Sequence, residues 1–172
     1  WQGQGGKGVA LSGSCSVATR AQVAHHAARH PARELAARDV IEGRLTPADV
    51  AAWMLQPPGL PLAYSSADPD EVARVQDTYG RAAAAAALEG FFAEVARLVV
   101  AGGATRLITA GGETSGAVVE GLALSALEIG PEIDPGVPAL RARPDLVVAL
   151  KSGNFGAADF FEKADRVLAG TT

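Results

Sequence analysis

The chain has 172 residues, 48% hydrophobic and 20% charged, with 15 basic side chains against 19 acidic ones for a net charge of −4. That composition excludes wholesale disorder, offers no basic footprint for nucleic acid or an anionic membrane, and suits one soluble domain or a domain cut from a longer protein. The only cysteine, Cys15, cannot close an internal disulfide and points to a reducing, cytoplasmic compartment. No apolar run approaches the roughly 20 residues that span a bilayer, and no signal-peptide pattern opens the chain. Because the first residue is Trp1, not Met, the chain reads as a fragment.

Residues 1–8 read as a flexible, Gly-rich lead, followed by a strand at Val9-Ala10-Leu11 and a small polar turn, Ser12-Gly13-Ser14-Cys15-Ser16. A helix is expected over 17–29, capped by Ser16 or Thr19 and ended before Pro31. A weak element lies near 34–41. Thr46-Pro47 opens a short helix carrying Val50, Trp53 and Met54, which Pro57-Pro58-Gly59 closes. A strand over 60–64 enters the turn Ser65-Ser66, and Asp68-Pro69 caps a helix through Val72 and Val75. From Arg81 to Ala101 apolar residues recur at three- and four-residue spacing, the strongest helical signal in the chain, with the Ala82 to Ala87 run as a close-packing face and Gly102-Gly103 as its stop.

Three further units follow. A strand over 106–110 runs into Gly111-Gly112-Glu113-Thr114-Ser115-Gly116, ahead of a helix over 117–124. A strand over 126–129 ends in a Pro- and Gly-rich loop over 130–138. A nearly continuous apolar strand over 145–150 leads through Lys151-Ser152-Gly153-Asn154-Phe155-Gly156 to a closing helix over 157–168. Strands alternating with helices predict an α/β fold with a substantially parallel sheet.

The turns at Ser12, Gly111 and Ser152 each end a strand and open a helix. In open α/β sheets ligands sit beyond the carboxyl ends of strands, where helix N-terminal amides attract anions, so three such turns together predict a phosphate or polyphosphate site. Taken singly, each turn is what capping and turn geometry favour in any α/β domain. Neither the Walker A pattern nor the dinucleotide glycine fingerprint follows a strand here. Glu113 reads either as a helix-start carboxylate or as a contact to nucleotide or its metal, and Lys151 either as a point charge for phosphate or as a solvated strand end. His26 and His30 have the i, i+4 spacing of a zinc pair, but no third ligand is evident, and imidazoles suit a helix C-terminus in any case. No metal-ligand set is therefore assigned. Cys15 has no His or carboxylate partner in sequence and reads as a small buried thiol.

In order, Gly13 to Ser16, Ala110 to Glu120, Ile129 to Leu140 and Ala149 to Phe161 resemble the C-terminal nucleotide-binding domain of the four-carbon acid sugar kinase family, over nearly the whole chain. The resemblance implies a three-layer α/β domain over 9–172 with a mixed, largely parallel sheet and helices on both faces. It implies an ATP-dependent kinase, with Mg²⁺, that phosphorylates a hydroxyl of a four-carbon sugar acid such as 3-oxo-tetronate, erythronate or threonate. Carried over residue by residue, it implies ATP contacts from Ser14, Gly111, Gly112, Glu113, Thr114 and Gly153. The substrate-binding domain that normally lies upstream is absent from these residues, and the fragment alone is expected to be inactive, with ATP or ADP as its partner and its catalytic residues unassigned. Two alternatives remain open: a noncatalytic nucleotide-sensing or assembly module, and an unrelated α/β enzyme that binds a phosphorylated metabolite.

Overall fold

Alternate side chains of the central strands point to opposite faces, and this period of two divides the core into two apolar layers. The computed structural model describes residues 1–65 and 67–171. Its strands are β1 (Lys7–Ser12), β2 (Ala32–Glu34), β3 (Leu62–Tyr64), β4 (Ala104–Ala110), β5 (Glu128–Asp134), β6 (Val137–Arg143) and β7 (Leu146–Lys151). Its helices are α1 (Val17–Ala27), α2 (Ala37–Ile41), α3 (Pro47–Leu55), α4 (Pro69–Tyr79), α5 (Arg81–Ala101), α6 (Gly112–Gly121) and α7 (Phe160–Ala169). The strands form one sheet in the order β2-β3-β1-β4-β7-β6-β5, parallel from β2 through β7 and antiparallel from β7 through β5. On one face Val9, Leu11, Leu107 and Val148 pack with Met54 of α3, Phe92 and Val95 of α5, and Val118 of α6. On the other, Ala10, Ile108, Val147 and Ala149 pack with Val23 of α1 and with Phe160, Phe161 and Leu168 of α7. The result is the expected three-layer α/β arrangement with a mixed, largely parallel sheet.

Local capping explains several boundaries. The Ser16 side chain accepts from the Thr19 amide at the start of α1, Thr46 and Asp49 form a capping box ahead of α3, and Asp68 accepts from Glu71 N with Pro69 next in line. Ser66, expected in the turn before Asp68, and Thr172, the last residue of the expected domain, lie outside the described residues.

Some expectations need correction. The 130–138 segment is not a loop: it is most of a hairpin, β5 and β6, turning at Pro135-Gly136 with Gly136 at φ 80°. Its prolines hid it. Pro131 sits on the sheet's edge strand, and Pro138 lies beside a register shift, two places where a strand tolerates a missing amide. Helix α6 starts at Gly112, so the Gly-Glu-Thr-Ser run is its first turn and not a loop before it. The closing helix begins three residues later than expected, at Phe160, and the weak element near 34–41 divides into β2 and α2. Strand β1 begins at Lys7, two residues early. Ahead of it the lead runs along the sheet: Gln4 N donates to Leu168 O, and Arg106, ion-paired with Asp165 at 2.8 Å, donates to the carbonyls of Gln4 and Gly6.

Candidate functional site

Strands β1, β4 and β7 are adjacent and parallel, so their carboxyl ends lie at one edge of the sheet. The chain leaves β1 into α1 on one face and leaves β4 into α6 on the other, which opens a crevice between the two strand ends where ligands of such sheets bind. Backbone hydrogen bonds lock the three turns together. Gly13 N and Ser14 N donate to Ala110 O at 3.0 and 3.3 Å, and Gly111 N donates to Lys151 O at 2.8 Å. Side-chain-free positions allow the close approach: a Cβ on Gly13 would overlap the Thr114 hydroxyl, and one on Gly153 would overlap the Ser14 hydroxyl. Gly111 has φ 119°, a conformation that residues with a β-carbon avoid.

A cavity of about 590 Å³ opens on this rim and is lined by all six residues expected at the site: Ser14, Gly111, Gly112, Glu113, Thr114 and Gly153. Their roles differ from a uniform ring of amides. The amides of Ser14 and Gly111 are spent on neighbouring strands, so Ser14 faces the cavity with a hydroxyl, which donates to Ser16 Oγ at 3.2 Å. Helix α6 supplies the free amides. Gly111 caps it without a side-chain bond, leaving first-turn N–H groups with no intrahelical acceptor and the positive end of the dipole at the cavity. A Cβ on Gly112 would meet nothing within 4 Å, so that position faces open space. Thr114 is buried and Glu113 exposed.

The turn after β7 is held from below. Ser16 Oγ and Thr19 Oγ1 donate to Gly153 O at 2.6 and 2.8 Å, and Gln22 Nε2 donates to the carbonyls of Phe155 and Gly156, so one face of α1 grips the whole turn. Lys151 completes the clamp and is not a solvated strand end. It is fully buried, and its ammonium donates to Thr19 Oγ1, Ser152 O and Gly153 O at 3.0 to 3.2 Å above the Phe160 ring. No carboxylate lies among these partners, and burial lowers its pKa from 10.5 to about 8.

Sequence reasoning missed Gly13, Thr19 and Gln22, which act through the turns. It also missed the apolar wall of the cavity, formed by Leu35, Val72, Val75, Ala84, Ala85 and Leu88. Periodicity marked Val72, Val75 and Leu88 as apolar helix positions but gave no means of telling a core-facing residue from a cavity-facing one. The alanine run is in part exposed, with Ala84 and Ala85 on the cavity. Cys15 also lines the cavity, half-buried, and burial raises its thiol pKa, which leaves it an unactivated thiol. A hydroxyl-rich, amide-rich end and an apolar end in one cleft suit a ligand with a polyanionic tail and a flat apolar head.

Known proteins bear on this geometry. The family described as the nucleotide-binding C-terminal domain matches residues 9–161. The chain is 43% identical to a 3-oxo-tetronate kinase of Brucella melitensis, over 94% of this chain and 38% of that protein. It is 42% identical to a 3-oxo-tetronate kinase of Pectobacterium atrosepticum, over 96% and 41% respectively. A crystal structure of a Haemophilus influenzae protein superposes with a TM-score of 0.92 at 38% identity, covering 98% of this chain and 42% of that one. The chain thus spans about two fifths of the length of the curated relatives it matches.

Proposed function

Since the chain belongs to the family of nucleotide-binding C-terminal domains, we propose that it is the ATP-binding half of a kinase that phosphorylates a hydroxyl of a four-carbon sugar acid. The acid named in its relatives, 3-oxo-tetronate, is the first candidate. In this reading residues 9–172 are the nucleotide-binding domain, and an upstream substrate-binding domain presents the acceptor across the cleft. The observation that carries it is the convergence of Ser14, Gly111 to Thr114 and Gly153 on one cavity whose far wall is apolar.

The phosphates are assigned to the α6 N-terminus and the hydroxyls of Ser14 and Thr114, and the adenine to the wall of Val72, Val75 and Leu88. The residues suit this ligand, since Gly112 faces open space where any side chain would compete with it. The exposed Glu113 carboxylate, in the first turn of α6, is the group assigned to Mg²⁺. Mg²⁺ bound there would neutralise charge on the phosphoryl oxygens as it transfers. What this chain contributes is positioning: phosphoryl transfer depends on holding donor and acceptor in line, and the clamped turn after β7 fixes one edge of the donor site.

Isothermal titration of the folded chain with ATP and ADP, with Mg²⁺ present, tests the site. No heat at millimolar nucleotide would refute it. The activity is tested on the polypeptide that includes the upstream domain: ATP consumption dependent on a four-carbon acid supports the kinase, and none with any such acid overturns it.

A further inference from the structure

On the opposite side of α1 from its capping end, three residues that the nucleotide site does not use meet at the junction with α7. His26 and His30 lie one turn apart, and Glu162 reaches them from α7; each offers a donor atom, all within 4.8 Å of one another. Glu162 Oε1 stands 3.1 Å from His30 Nε2 and 3.8 Å from His25 Nε2. None of these residues lines the nucleotide cavity.

His26 distinguishes the cluster from an ordinary surface ion pair. Its side chain is 1% exposed, and its Nε2 lies 2.8 Å from Leu60 O. A carbonyl oxygen only accepts, so Nε2 carries the proton and Nδ1 of the neutral ring bears a lone pair. That Nδ1 is buried and has no hydrogen-bond partner among the described residues. A buried acceptor left without a donor is destabilising, and a ligand for that lone pair would remove the cost. An imidazole whose other nitrogen is fixed by a backbone carbonyl is also how metal-bound histidines are held in the correct tautomer.

We propose that His26, His30 and Glu162 form a binding site for a borderline-soft divalent transition metal of the Zn²⁺ class, separate from the nucleotide site and from any Mg²⁺ there. Two imidazoles and one carboxylate are a donor set that such ions prefer and Mg²⁺ does not. Tetrahedral zinc with bonds of about 2.1 Å needs ligand atoms roughly 3.4 Å apart, so from separations of up to 4.8 Å the cluster must tighten by up to about 1.4 Å. The partly exposed His30 and Glu162 have room to make that move, and they leave the fourth position to water. Bound metal would tie the end of α1 to α7, the two helices that flank the turn after β7.

The test is stoichiometric binding of Zn²⁺ to the chain after chelator treatment, with Mg²⁺ as the counter-probe and no nucleotide present, so that its outcome is independent of the kinase reading. One Zn²⁺ per chain is expected, undiminished by excess Mg²⁺. His30→Gln and Glu162→Gln should each weaken binding by at least about 10- to 100-fold, the loss seen when even an outer partner of a ligand is removed. Co²⁺ gives a second readout on the unmodified protein, since four-coordinate Co²⁺ absorbs strongly in the visible. No stoichiometric Zn²⁺, equal affinity in both variants, or a six-coordinate Co²⁺ spectrum would each overturn the proposal.

Discussion

Replacing Lys151 with Met removes a buried charge while keeping most of its apolar length, and the consequence depends on pH. In the native state the ammonium titrates near 8, against 10.5 for an unhindered lysine, because it is buried without a carboxylate. Below pH 8 both native and unfolded chains are charged and the desolvation cost is fully present. Between pH 8 and 10.5 the unfolded chain holds a proton that the native chain has lost, so this group makes stability rise with pH across that window. From pH 7 to pH 10 the two values give a gain of about 2–3 kcal/mol, which Lys151→Met cannot show. At pH 7 the variant loses three hydrogen bonds, each worth about 1 kcal/mol, but escapes a desolvation cost of about 3 kcal/mol, so its stability should lie near that of the parent. Urea denaturation of both proteins from pH 7 to pH 10 measures the difference. A parent-minus-variant difference that stays flat over that range would refute the desolvation argument. The same group couples to ligand: a polyphosphate near Gly153 favours the charged form, so nucleotide binding at pH 8.5 should take up a fraction of a proton in the parent and none in the variant.

Gly112→Leu puts a side chain into open space on the cavity, so nucleotide affinity should fall more than about tenfold, or 1.4 kcal/mol, by titration calorimetry while thermal stability does not fall. Thr19→Val keeps the shape but removes the hydroxyl that accepts from Lys151 and donates to Gly153 O; a loss of about 2–3 kcal/mol is expected, and less in the Lys151→Met background, because the two share one network. Glu113→Gln should shift the melting point little while reducing the Mg²⁺ dependence of ATP binding, measured as the ratio of affinities with and without the ion. Gly136→Ala forces a residue with a β-carbon to φ 80° against the Phe155 ring, and should cost about 1–2 kcal/mol in denaturant unfolding.

The sequence by itself determined the layers and the three turns that line the cavity. Alternation and helical spacing depend on neighbours along the chain, and so do turn residues such as Ser16, Asp68 and Gly111; these local signals are enough to specify strand ends that open into helices. What only the tertiary structure decided was everything that depends on distant segments meeting. The hairpin of β5 and β6 exists because a sheet edge and a register shift accept prolines that a strand read in isolation rejects. Lys151 became a buried clamp, not a solvated end, because Thr19, 132 positions away, closes over it. Glu162 joined His26 and His30 from another helix, and Val72 and Leu88 came to line a cavity, Leu88 while also packing against the core. Periodicity reports that a face is apolar or polar; only the packed chain supplies what that face meets.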